Sequence, residues 1–154
     1  MMTNIDLENM ADKLSLPIVG VFSKDELVNG HRPRQVGSYY INMQDSTKGN
    51  GTHWVFAKIF ESGHGLYFDS FGFSPPIAVQ EFLKPFKPYA VNNRDIQDYY
   101  SENCGRFCLC TDALVKEYDD YDKFLELWSD DKHNNDKILH KILNDLLNNK
   151  MYRI

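Results

Sequence analysis

The chain has 154 residues, 42% of them hydrophobic, 14% aromatic and 25% charged, which suits one domain, residues 1–154, with a packed core and an ordinary soluble surface. Seventeen Lys and Arg against 22 Asp and Glu give a formal charge of −5, so no phosphate-tracking surface is implied and DNA is not an expected partner. No apolar run approaches the roughly 20 residues of a membrane span, and the polar start MMTNIDLENMADK excludes a secretory signal. The expected place of work is the interior of a cell or a particle.

Ile5, Leu7, Met10, Ala11 and Leu14 recur at helical spacing, with Asn4 or Asp6 placed to cap. An apolar run, Ile18, Val19, Val21 and Phe22, leads to Ser23 and, three residues on, Glu26, a capping-box signature for a helical turn. Gly30 to Gly37 holds breakers and charge and reads as a loop. Ser38–Met43, His53–Phe60 and Gly65–Ser70 are rich in aromatic and β-branched residues and read as strands. The Gly-bearing connectors STKGNGT and ESGHG make these an antiparallel meander.

Ser74 ahead of Pro75 and Pro76 predicts a short helix, with Ile77, Ala78, Phe82 and Leu83 inward, that ends near Pro85. Tyr89 to Val91 suits a further strand, and Asn92 to Asn103 is polar and loop-like. From Cys104 the pattern is helical, with Phe107, Cys108, Thr111, Leu114, Val115 and Tyr118 on the same face. Phe124, Leu125 and Trp128, then Ile138, Leu139, Ile142, Leu143, Leu146 and Leu147, predict two more helices. The fold class is α+β: a small, mostly antiparallel central sheet packed against a buried helix that starts at Cys104, with further helices at both ends.

The three cysteines, Cys104, Cys108 and Cys110, lie within one helical stretch. An odd, clustered set gives no disulfide framework and a poor match to zinc spacing, so neither metal nor other cofactor is implied. Cys104 precedes Gly105 at a helix N-terminus, where free N–H groups favour a thiolate. It is expected to be accessible there and the first of the three to react, while Cys108 and Cys110 read as core thiols; for Cys104 itself a core role stays open.

A thiol nucleophile requires an imidazole, and the imidazole an orienting group. Of five histidines, His31, His64, His133 and His140 read as solvated, whereas His53 stands where a Gly-rich turn becomes a strand and precedes Trp54. Asp69 closes the next strand, within reach of the start of its neighbour; a polar strand end is the competing reading.

The segments GTHWV, LYFDSFGF and NCGRFC, with Gln97 between the last two, resemble the adenovirus-type maturation cysteine proteases and, more distantly, the SUMO- and NEDD8-deconjugating proteases. IVGVFSKDEL and YYINMQDSTKGNGTHW are similar in particular to the proteases of virophages and Maverick or Polinton-type viral transposons. The resemblance runs from about Leu16 to Leu114. It places the family's histidine on His53, its acid on Asp69, its oxyanion-hole glutamine on Gln97 and its nucleophile on Cys104. It also implies that Trp54 shapes a narrow substrate channel, with glycine or another small residue before the scissile bond.

By this resemblance the substrates are viral capsid and core precursor proteins, cut in the virion or at its assembly site in the host cell. Removal of ubiquitin-like modifiers is the alternative, and acyl transfer a further one. A peptide or protein activator is a feature of some members. The chain's negative charge gives no support to the DNA dependence known in the adenovirus members.

Overall fold

The computed structural model describes residues 1–29, 34–44, 53–149, 152 and 154. The connector STKGNGT and the first half of the predicted loop, residues 30–33, lie outside the described residues. The protein is α+β, built on a five-stranded mixed sheet. Strands β1 (Ile18–Ser23), β2 (Gly37–Asn42), β3 (Trp54–Ile59), β4 (Gly65–Phe68) and β5 (Tyr89–Val91) lie side by side in chain order. β2, β3 and β4 form the expected antiparallel meander, whereas both edge strands join it in parallel, β1 to β2 and β5 to β4.

Helix α1 (Asn4–Lys13) is capped by Thr3, not by Asn4 or Asp6; Asp6 occupies the third helical position and completes the box by accepting from the Thr3 N–H. After β1, the backbone N–H and the hydroxyl of Ser23 both donate to the Glu26 carboxylate in the first turn of α2 (Lys24–Asn29), which is the glutamate half of the box read from the sequence. Helix α3 (Ile77–Leu83) starts one residue after Pro76 with no side-chain cap, so Ser74 does not serve there. Ile77 is exposed and Val79 takes the buried place instead, because the helix begins later and its inner face is rotated. Helix α4 spans Cys104–Leu114, and α5 (Tyr121–Glu126) and α6 (Lys132–Leu147) complete the chain.

Because side chains alternate across a strand, the residues of β3 divide between two cores. Trp54 and Phe56 face a cluster with Cys104, Phe107, Cys108, Phe124 and Leu139, and Val55, Ala57 and Ile59 face one with Val79, Phe82 and Leu83. With helices on both faces the strands read as continuous apolar runs. The helix expected to bury one face is buried on nearly all sides: of α4 only Arg106 reaches the surface. Its polar residues are accommodated by partners. Thr111 donates to the carbonyl of Phe107 at 2.8 Å, and Asp112 accepts from Ser38 Oγ at 2.6 Å and Tyr40 Oη at 2.8 Å. Lys58, the one interior cation of β3, donates to the Val115 carbonyl at 2.9 Å and lies 3.5 Å from Asp112. Removing one member would leave a buried charge or hydroxyl unpaired, at a cost of about 1–3 kcal/mol or more. This network pins the far end of α4 to the sheet and so fixes where its first residue, Cys104, sits. Tyr118, expected on this helix, falls beyond its end in a 3₁₀ turn and stacks on His64, ring centroids 4.5 Å apart.

Candidate active site

His53 immediately precedes β3, where its carbonyl accepts from Met43 N–H at 2.9 Å and extends the β2–β3 ladder by one step. Asp69 immediately follows β4. The β3–β4 register pairs Phe56 with Phe68, so the chain just before β3 and the chain just after β4 emerge at one end of the sheet, side by side. There His53 Nε2 lies 2.8 Å from Asp69 Oδ1, with Asp69 buried and the histidine side chain 17% exposed.

Neighbours hold both the carboxylate and the backbone that carries it. Phe71 N–H donates to the same Oδ1 at 2.9 Å, and the Phe71 ring packs on the imidazole with centroids 4.8 Å apart. Asn92, buried just after β5, grips the peptide of Asp69 at both ends: its Nδ2 donates to the Asp69 carbonyl at 2.6 Å and its Oδ1 accepts the Asp69 N–H at 3.0 Å. Tyr121 of α5 in turn donates to the Tyr67 carbonyl at 2.9 Å and lies 3.3 Å from Asn92 Oδ1. The turn that follows requires Gly72, whose φ is +75° and whose Cβ, were it present, would stand 2.8 Å from the backbone nitrogen of Asp95.

The thiol arrives from the opposite side. Cys104 opens α4, and its Sγ receives the backbone N–H of Trp54, the residue after His53, at 3.5 Å. One turn on, Cys108 donates to the carbonyl of that same tryptophan at 3.6 Å. The first turn of α4 is thus latched to the first residue of β3. Burial is the strongest influence on His53 and lowers its pKa, but the hydrogen bonds and charges of Asp69 and Cys104 together outweigh it and raise the pKa to about 9. With Nε2 committed to Asp69, Nδ1 is the nitrogen left for the thiol; it is buried and has no hydrogen-bond partner among the described residues. Cys104 is among the groups that raise the His53 pKa although no hydrogen bond to Nδ1 is formed in this conformation, and such bonds commonly tighten only when substrate is bound. Burial pushes Cys108 and Cys110 well above the ordinary thiol range, so both stay protonated at neutral pH.

Gln97 lies on the loop after β5, and the backbone N–H groups of Ile96 and Gln97 both donate to the Ser70 carbonyl, at 2.9 and 3.1 Å. Its side chain is buried, with Nε2 donating to the Ser101 carbonyl at 2.7 Å and Oε1 accepting from the Ser70 hydroxyl. Gln97 is therefore tied to the residue next to Asp69.

Two placements differ from expectation. Cys104 is 2% exposed rather than open at the helix entrance, because Met2 and Trp54 pack in the same cluster. Trp54 itself is 1% exposed, and its indole N–H donates to the Met2 carbonyl at 2.8 Å, so it lines no open channel in this conformation. Met2 also rests against Gly105, where an added Cβ would come within 3.1 Å of its sulfur. Sequence reasoning missed Met2, Ser70, Phe71 and Asn92. For Asn92 the available signal was an amide directly after a short strand, and for Phe71 its position two residues past the acid. Among the described residues no cluster of three or more His, Cys, Asp or Glu side chains is placed to hold a metal ion.

Searches against protein-family models and against curated proteins return no match. Among solved structures the chain is similar to the crystal structure of the ASFV pS273R protease, at 18% sequence identity and a TM-score of 0.45, over 79% of this chain and 61% of that one. The chain thus spans less than two thirds of the length of that protein.

Proposed function

We propose that the chain is a cysteine peptidase with Cys104 as nucleophile, His53 as its general base and acid, Asp69 orienting the imidazole, and Gln97 supplying an oxyanion donor. One observation carries this reading: a thiol at a helix N-terminus lies against the residue that follows a histidine, and that histidine is locked by Nε2 to a buried carboxylate at 2.8 Å. Transfer of the thiol proton to Nδ1 gives a thiolate and an imidazolium, which the buried carboxylate favours. The thiolate attacks a peptide carbonyl, and charge gathering on the oxygen is met by the Gln97 amide and the Cys104 backbone N–H. The imidazolium then gives its proton to the departing amine. A water, deprotonated by the now neutral ring, hydrolyses the thioester and frees Cys104.

The substrates proposed are viral capsid and core precursors, processed in the virion or at the assembly site, with glycine or another small residue before the cut. The resemblance to maturation proteases supports this. The test is mass spectrometry of products after mixing wild type and Cys104→Ala with capsid precursors from the same genome and, separately, with ubiquitin-like conjugates. Cys104-dependent cuts after small residues in the capsid proteins are expected. Cleavage confined to the modifier conjugates would make the chain an isopeptidase, and no thiol-dependent cleavage of either would remove the reading.

A further inference from the structure

A glutamine donates to an oxyanion only if its amide faces the right way, and the two ends of an amide are nearly equal in size, so neighbours decide the orientation. At Gln97 the Ser101 carbonyl decides it, and the Ser70 hydroxyl, which can donate or accept, anchors the end that results. The Ser101 carbonyl can only accept, so the amide nitrogen must face it, at 2.7 Å. On the other side the Ser70 hydroxyl, 0% exposed, meets Oε1. With Oε1 engaged by Ser70 and one N–H spent on Ser101, a single N–H remains, and among the described residues it has no acceptor.

We infer that Ser70 is a positioning residue for catalysis: its buried hydroxyl holds Oε1 of Gln97 so that the remaining N–H is presented to the oxyanion. This rests on the proposed role of Gln97. Ser70 is suited to the task by its neighbours in the chain. Asp69 at its N-terminal side holds His53, and its own carbonyl takes the backbone N–H groups of Ile96 and Gln97. One dipeptide, Asp69–Ser70, therefore anchors both the base and the oxyanion donor. Substituting Ser70 with alanine leaves every backbone hydrogen bond available and removes only the hydroxyl. Oε1 is then buried without a donor, and the amide turns or shifts to find one.

The test compares two reagents that use the same thiol. A peptide aldehyde forms a tetrahedral adduct whose oxygen requires the oxyanion donors, whereas alkylation of Cys104 by iodoacetamide builds no oxyanion. Ser70→Ala should weaken aldehyde binding and lower kcat by roughly 10- to 100-fold with KM little changed, somewhat less than the ~10² to 10³ loss typical of deleting an oxyanion donor, here by Gln97→Ala. The alkylation rate at Cys104, read by peptide mapping, should stay within about twofold. Ser70→Thr, which keeps the hydroxyl, should recover most of the aldehyde affinity. Adding Ser70→Ala to Gln97→Ala should cost nothing more, because the two act as one unit. If Ser70→Ala does not fold, Ser70→Cys, which replaces the hydroxyl by a somewhat larger and weaker donor, is held to the same criteria. Loss of aldehyde affinity in Gln97→Ala with none in Ser70→Ala, or fully additive losses in the double variant, would overturn the inference and leave the role of Gln97 standing. Wild-type behaviour of Gln97→Ala would remove both.

Discussion

Replacing Asp69 with asparagine isolates the charge that holds His53 and leaves the shape nearly unchanged. The imidazole titrates near 9 although burial, the largest influence on it, acts downward. Both contributions of Asp69, its hydrogen bond and its charge, act upward, and in the variant only the smaller pull of Cys104 opposes burial. The midpoint should therefore fall from about 9 toward the ordinary 6.5, by on the order of 2 units, worth about 3 kcal/mol. A histidine whose folded pKa is raised stabilises the fold fully below its unfolded value of about 6.5, and that stabilisation is lost as pH climbs through about 9. Wild type minus Asp69→Asn should thus show a stability difference that shrinks by on the order of 3 kcal/mol between about pH 6 and pH 10. The same interaction stabilises the imidazolium formed when the thiol gives its proton to the ring, so turnover at neutral pH should drop by on the order of 10². NMR titration of the His53 ring gives the midpoint, and urea unfolding across the pH range gives the linkage. Repeating both in Cys104→Ala separates the carboxylate from the thiol, whose titration is coupled to the ring. A His53 midpoint that moves by less than about one unit would refute the argument.

Iodoacetamide near neutral pH should label Cys104 and abolish activity while sparing Cys108 and Cys110, which burial holds protonated; label found mainly on Cys108 or Cys110 with parallel inactivation would reassign the nucleophile. Met2→Ala should speed that labelling severalfold by uncovering a thiol now 2% exposed, and should cost about 2–5 kcal/mol of stability as a buried truncation; an unchanged rate would mean that Met2 does not gate access. Asn92→Ala strips Asp69 of two backbone partners and should destabilise by about 1–3 kcal/mol in urea unfolding. It should also lower kcat through a loosened His53, and full activity at ordinary stability would show the clamp to be idle.

The parts of this fold that were legible in the sequence are those encoded by neighbours in the chain. The meander followed from aromatic and β-branched runs broken by glycines, and the His53 and Asp69 pairing from two strands joined by the short ESGHG turn, whose register brings the start of one beside the end of the other. The capping glutamate at Glu26 was legible for the same reason. Helix α4 was read as buried along the face that holds Phe107, Cys108 and Thr111; that Asp112 lies inside as well was not legible, because Ser38 and Tyr40, which satisfy it, are distant in the chain. The parallel edge strands were not legible, since nothing local distinguishes a parallel partner from an antiparallel one.

The supports of the site were illegible for a related reason. Asn92 meets Asp69 across 23 positions, Ser70 meets Gln97 across 27, and Trp54 meets Met2 across 52. Each of these bonds joins a side chain of ordinary type to a group whose location only the finished sheet determines. The thiol and imidazole proposed to react announce themselves by type, because the chain has only three cysteines and five histidines and their chemistry demands one another and an acid. Those that aim them are serines, asparagines and a methionine, of which any sequence has many, and their roles arise only when the fold has brought each to its target. Directed tests at Ser70, Asn92 and Met2 therefore probe what the arrangement adds to the reactive groups, and those at Asp69, Gln97 and Cys104 probe the groups themselves.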